Sequence, residues 1–173
     1  AIVRSSTTNG TLYVNNGGVS GQNSVQSATT LRVDSAIIDG SSNYYVGSGK
    51  SLQFNNATLF STVSGSGSLQ IAGGTFLPPS AFTIGSNTTL IFHQGSLASS
   101  GIVYTSDITV ASTGTFDLRD FTVSTPLYVN SMVVQSGGVV THGANTSSQT
   151  HILYIDAETL QVNAGGTINV NAK

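Results

Sequence analysis

The sequence predicts an all-β fold, a right-handed parallel β-solenoid, in which one chain winds as a coil of short strands. Three observations point there. A degenerate repeat of roughly 20 residues runs through the chain. Within each repeat apolar residues recur at a spacing of two, the strand period. Gly, Ser, Thr and Asn crowd every window and leave no stretch suited to helix.

The composition agrees. The chain has 173 residues, with 26 Ser, 22 Thr, 13 Asn and 20 Gly but only 7% charged residues. Disordered chains are usually rich in charge and poor in β-branched residues, whereas Val, Ile and Thr are plentiful here. A length of this order supports one core, so residues 1–173 are read as a single solenoid domain. The openings at both ends resemble the middle of something longer, and the expectation is a piece of a larger repetitive protein.

The repeat is anchored by Leu12, Leu31, Leu52, Leu69, Leu90, Ile108, Met132 and Leu160. Two residues after each comes a second apolar side chain: Val14, Val33, Phe54, Ile71, Phe92, Val110, Val134 and Val162. Five after the anchor stands a very small residue, as at Gly17, Ala36, Ala57, Gly74, Gly95, Gly137 and Gly165, with Thr113 as the exception. That position is read as a bend, where the chain needs positive φ or close backbone approach. Apolar residues then return at Val19, Ile38, Leu59, Phe76, Leu97, Phe116, Val139 and Ile168. A third apolar position precedes the anchor by six, at Val25, Val46, Val63, Ile84, Ile102 and Tyr154, while Pro126 breaks the pattern before Met132.

Each unit therefore reads as three short strands per turn, with the anchors piled in one column. One turn cannot bury its apolar residues alone. Stacked turns do so, gaining about 1.5–3 kcal/mol for each large side chain fully buried. The crossover rule makes the coil right-handed. The insert Thr141–Thr150 is expected to bulge outward. An antiparallel sandwich or jelly roll is the competing fold, but the hairpin signals are few: Asn9-Gly10 precedes the first unit and Asp39-Gly40 can serve as a bend.

Several chemistries are disfavoured by composition. There is no Cys, which removes disulfides and thiol chemistry. Five Lys and Arg, spread singly in a chain of net charge -2, make no patch for nucleic acid. No apolar run approaches the length of a membrane-spanning helix. Three isolated histidines, His93, His142 and His151, lack the spacing of a zinc site.

The remaining candidates are acids and tyrosines. Asp117-Leu118-Arg119-Asp120 holds the densest charge and could be an acid–base pair. The plainer reading is a loop after Phe116 with a local ion pair and a turn-forming Asp, and it is the one adopted. Asp156 and Glu158 share a strand face, and a calcium site would need Asp34 or Asp39 from another turn beside them. Tyr44, Tyr45, Tyr104 and Tyr128 could stack on sugar rings, but alternation turns Tyr44 inward and Tyr45 outward. Gly47-Ser48-Gly49-Lys50-Ser51 lacks the spacing and the following helix of a phosphate-binding loop. A threonine ladder of the kind that binds ice would need Thr at one outward position in most turns; Thr11, Thr30, Thr89 and Thr159 are read instead as strand starts. Sequons stand at Asn9, Asn56, Asn87 and Asn145.

The units at Leu160–Ile168 and Met132–Val140 resemble the repeats of large bacterial secreted surface proteins, the filamentous haemagglutinin-like adhesins and autotransporter passengers. That resemblance implies a location outside the cell or on its surface and a structural or adhesive role without catalysis. It implies no catalytic, cofactor or metal residues. Expected partners are further turns of the same chain or other copies, with surface glycans as a further candidate. The alternatives are a carbohydrate-active β-helix, such as a lyase, hydrolase or phage spike, and a non-catalytic carbohydrate-binding module.

Overall fold

The structure, a computed structural model, describes residues 10–15, 17, 23–40, 42–54, 61–71, 75–77, 81–93, 107–119, 126–145, 148 and 151–170. The first winding carries β1 (Thr11–Asn15), β2 (Asn23–Val25) and β3 (Thr30–Val33). The second carries β4 (Ser35–Asp39), β5 (Asn43–Val46) and β6 (Ser51–Phe54), and the third β7 (Ser61–Ser64), β8 (Ser68–Ile71) and β9 (Thr75–Leu77). Later windings have two described strands each: β10 (Ala81–Ile84) with β11 (Thr89–His93), then β12 (Asp107–Val110) with β13 (Thr115–Arg119). The last two pair β14 (Leu127–Val134) with β15 (Val139–His142), and β16 (Ile155–Val162) with β17 (Thr167–Asn169).

Strands of successive windings lie side by side. The first sheet runs β1-β4-β7-β10-β12-β14-β16, the second β17-β15-β13-β11-β8-β5-β2, and a three-stranded third sheet β3-β6-β9. Every described strand pair is parallel. The fold is thus a stacked parallel β-solenoid, and the sandwich is excluded.

The interior consists of files of apolar side chains, one from each winding. In the first sheet Leu12, Ala36, Val63, Ile84, Val110, Val134 and Val162 stand in register. In the second the file is Tyr44, Leu69, Leu90, Phe116, Val140 and Ile168. Val63, Leu69, Val110, Val134 and Val140 are all 0% exposed. At 6.3 Å between centroids, Phe92 and Phe116 meet as tilted rings between neighbouring files. Such contacts, repeated along the axis, supply the dispersion and burial that no single winding has.

The anchors do not form one column. Leu12, Ile108, Met132 and Leu160 lie in the first sheet, Leu69 and Leu90 in the second, and Leu31 and Leu52 in the third. The motif of two apolar residues and a small one recurs on different sheets because every inward-facing strand has the same local pattern. The winding, not the motif spacing, sets the true repeat, and its length varies. On the first sheet one winding runs from Val63 to Ile84 at its shortest and from Val134 to Val162 at its longest. Four side-chain assignments change with it, the first being Tyr154, which is 36% exposed because the inward residue there is the next one, Ile155 opposite Leu127. Ala36 is a fully buried strand residue and not a bend. Val25 faces outward at 63% exposed, because β2 places Ser24 opposite buried Tyr44. Val140, not Val139, turns inward, since it pairs with Phe116. Val19, Ala57, Leu59, Gly74, Gly95, Leu97, Ile102 and Tyr104 lie outside the described residues.

The bends between the first and second sheets are stacked too. Turns at Gly85–Thr88, Ala111–Gly114, Gln135–Gly138 and Asn163–Gly166 each close through the last N–H donating to the first carbonyl, at 2.8–3.3 Å. Their third residues have positive φ: Asn87 59°, Thr113 61°, Gly137 80° and Gly165 86°. That is the type II pattern, which favours glycine there. Thr113, the exception to the small-residue rule, holds this left-handed position with a β-branched side chain; its Oγ1 accepts a hydrogen bond from the Asn87 N–H at 3.0 Å. At the fourth position a Cβ on Gly138 would stand 2.8 Å from the Val110 carbonyl oxygen of the winding below. Ladder bonds run through the corner, Gln135 N–H to Val110 O and Val139 N–H to Gly114 O, both 2.9 Å.

Urea denaturation followed by circular dichroism should find Leu69→Ala destabilised by about 3 kcal/mol, from lost burial plus a cavity. Gly138→Ala should cost roughly 2 kcal/mol through contact with backbone that cannot move alone. Thr113→Asn should gain about 0.5–1 kcal/mol, because Asn tolerates the left-handed position better than a β-branched residue.

Candidate functional site

With the interior apolar, any chemistry must sit on the outward faces. On the second sheet two outward files run beside each other: Asn43, Ser68, Thr89, Thr115, Val139, Thr167, and Tyr45, Gln70, Ile91, Asp117, Thr141, Asn169. On the first sheet Thr62, Thr83 and Thr109 follow one another and then give way to Val133 and Gln161. Three consecutive threonines make a short file, not a flat ladder along the whole rod.

Many of these side chains bond to the next winding. Ser68 Oγ donates to Asn43 Oδ1 at 3.1 Å, Thr141 Oγ1 to the Asn169 carbonyl at 3.1 Å, and Asn130 Nδ2 to Asp107 Oδ1 at 2.8 Å. On the third sheet Arg32 Nε donates to Gln53 Oε1 at 3.0 Å. A parallel in-register stack brings like positions within strand spacing, and short polar groups there satisfy each other.

The Asp117 cluster is an ion pair along one strand. Residues two apart share a face, and Arg119 reaches back with Nε at 3.2 Å from Oδ1 and a terminal guanidinium nitrogen at 2.7 Å from Oδ2. Both carboxylate oxygens are engaged, and the register neighbours of Asp117 are Ile91 and Thr141, neither of them an acid. Asp120 lies outside the described residues. A glycosidase pair needs a second carboxylate across the scissile bond, and none of the described acids occupies that place.

The remaining acids are dispersed. Asp156 and Glu158 are exposed on β16, whereas Asp39, which accepts from Ser66 Oγ at 3.0 Å, ends β4. Strands β7, β10, β12 and β14 stand between β4 and β16. Each spacing adds about 4.8 Å, far beyond the reach of ligands around one calcium ion. Among the described residues no three of His, Asp and Glu come together as metal ligands. His142 Nδ1 lies 2.7 Å from the Gly143 carbonyl oxygen. His151 is tied by its backbone to Asn145, which accepts its N–H at 2.6 Å and donates to its carbonyl at 2.7 Å. The expected insert thus starts later than Thr141, which belongs to β15.

The tyrosines divide as alternation requires. Tyr44 is 4% exposed inside the stack, and burial pushes its hydroxyl from 10.0 up to about 12. Tyr45 is half-buried outside, over Gly47, where a Cβ would stand 3.0 Å from its ring. Tyr128 is half-buried on the outer face of the first sheet, so the two outward rings do not build one platform. The Gly47–Lys50 segment is a bend into strand β6, with Lys50 Nζ donating to the Ser27 carbonyl at 2.7 Å, and no helix follows.

Among the described residues, three buried polar ones escape sequence reading: Gln26, Ser42 and Thr88. Gln26 is 2% exposed and donates from Nε2 to the carbonyls of Ala28 at 3.0 Å and Ser51 at 2.9 Å, joining the first winding to the second. Its backbone N–H continues the β2–β5 ladder to the Tyr45 carbonyl, so Gln26 turns inward by alternation from Ser24; reading Val25 as inward sets the phase of this strand one residue off.

Compared with known proteins, the chain matches no family model, no curated protein and no solved structure. What is established is therefore the class the geometry defines: a parallel β-solenoid with short polar side chains on its outward faces.

Tyr44 gives a pH dependence with a defined sign. Its folded-state value lies above the unfolded one, so the protonated hydroxyl is favoured by folding. Between pH 10 and about 12 the unfolded chain loses this proton while the folded chain keeps it, and stability falls as pH rises. Chemical denaturation across this range should show the decline, and Tyr44→Phe should remove most of it.

Proposed function

We propose that this chain is a structural and adhesive segment of an extracellular or cell-surface fibre-like protein, and that it is not a catalyst. The observation that carries the reading is the use made of polar side chains: on outward strand positions they bond from winding to winding, and the one described cluster of opposite charge is closed on itself as the Asp117–Arg119 pair. An active site normally keeps polar groups free to converge on a substrate. A stack that commits them to its own length gains rigidity along its axis.

The way the stack grows supports a spacer role. Its two long sheets have seven strands each. Each added winding extends the rod by about 4.8 Å without a new kind of contact. The adhesive half of the reading, and the place outside the cell, draw on the likeness of the Met132 and Leu160 units to secreted bacterial surface repeats. Surface glycans are the natural partners for outward hydroxyls and amides flanked by single tyrosines.

Two measurements test the two halves. Beads coated with the chain should adhere to glycan-bearing cell surfaces more strongly than albumin-coated beads; equal adhesion would remove the adhesive role. Incubation with a panel of soluble polysaccharides should release no reducing ends, and Asp117→Asn should behave like the parent chain. Cleavage that disappears in Asp117→Asn would overturn the non-catalytic reading in favour of a carbohydrate-active enzyme.

A further inference from the structure

The outward faces differ in charge. Each of the three described Lys and Arg side chains bonds within the chain: Arg119 to Asp117, Lys50 Nζ to the Ser27 carbonyl, and Arg32 Nε to Gln53 Oε1. On the outer face of β12, β14 and β16 carboxylates stand without such a partner on their own strands. Asp107, Asp156 and Glu158 are exposed there, and these three strands carry no Lys or Arg. Asn130 sits between two of the acids. Its Nδ2 donates to Asp107 Oδ1 at 2.8 Å, and the register of β14 with β16 sets Glu158 on its other side. Two tyrosines share this face. Tyr128 stands opposite Asp156. Tyr154 precedes inward-facing Ile155, and its carbonyl accepts the Leu127 N–H at 2.8 Å, so strand period turns its ring outward. It is thereby the diagonal neighbour of Tyr128, about 8 Å away along the backbone grid. These directions follow from register with β14, so a winding laid beyond β16 would stand beside the outward side chains without covering them.

From this juxtaposition of two rings with three carboxylates we infer that the face selects, among surface glycans, those whose sugars carry free amines, such as a polymer of hexosamine. The inference rests on the adhesive reading above and gives it a glycan class. A tyrosine ring stacks on the flat C–H face of a sugar, while carboxylates and the Asn130 amide take up the polar groups around it. Charge then decides between sugars. An ammonium group at this face gains from a ring and from a carboxylate together, through cation–π attraction and charge-assisted hydrogen bonds. A glycan bearing carboxylates or sulfates brings like charge to the acids and is repelled. Neutral and N-acetylated sugars keep only the stacking and the neutral hydrogen bonds. A lysine-rich peptide would satisfy the acids without needing the rings; two rings set diagonally across neighbouring strands suit a chain of sugar units better.

Isothermal titration of the 173-residue chain with a soluble glucosamine oligomer, in mildly acidic buffer that keeps its amines protonated, should show binding. The N-acetylated oligomer should bind about five- to tenfold more weakly, as expected from several exposed charge pairs. Asp156→Asn combined with Glu158→Gln should erase that difference and leave the circular dichroism spectrum unchanged, since both side chains are exposed. Tyr154→Ala should weaken both sugars. Equal affinity for the two oligomers, or binding indifferent to the double substitution, would overturn the proposal. So would polylysine that binds as tightly as the amino sugar, which would make the face a docking surface for basic peptides. If neither oligomer binds a chain that still adheres to glycan-bearing cells, this site falls and the adhesive reading stands; if adhesion is lost as well, both fall.

Discussion

The structure depends on parallel register between successive windings. Each strand lends its hydrogen-bonding edge to the next, and each inward side chain rests on an inward one above and below. Neither contribution stands alone. A single winding buries little, and its backbone groups are bonded by neighbours about 4.8 Å away. Once register is fixed, files such as Leu69, Leu90, Phe116 and Val140 follow without further instruction. A slip of one residue would turn each of them to solvent and draw Gln70, Ile91, Asp117 and Thr141 inward, which is why the register holds.

Corners transmit that register. Where the chain passes from the first sheet to the second, the type II turns repeat at one height per winding and bond to the turn beneath. Their glycines are placed by two separate demands. Gly137 answers a backbone angle, and Gly138 answers the approach of the Val110 carbonyl. Thr113 meets the first demand at a cost in strain, offset in part by its bond to Asn87. The outward surface is the complement of this interior. Because equivalent positions lie side by side, a short hydroxyl or amide finds its partner one winding away, and charges need only be few.

The same geometry accounts for the candidate site. A local ion pair between Asp117 and Arg119 was legible in the sequence from their closeness, but as part of a loop after Phe116; the structure instead carries strand β13 through Arg119 and sets the two on one strand face. The inward turn of Tyr44 and the outward turn of Tyr45 were legible from strand period alone. The distance between Asp39 and Asp156 was not legible, since it depends on how many windings intervene. The burial of Gln26 was hidden for another reason: an apolar Val25 beside it suggested the opposite phase, and only the pairing of Ser24 with Tyr44 shows that Val25 faces out and Gln26 in.

Sequence by itself determined that the chain is β throughout, that its strands are short, and which residues of most strands face inward. Period-two alternation and glycine placement are local properties, written in consecutive residues. Only the tertiary structure decided which strand lies beside which. The anchors Leu12, Leu31 and Leu69 have nearly identical neighbourhoods yet stand on three different sheets. Pairing between windings is chosen by stacking between residues a full winding apart, as Val63 with Ile84 or Val134 with Val162. A motif that satisfies any inward strand carries no mark of the sheet it joins.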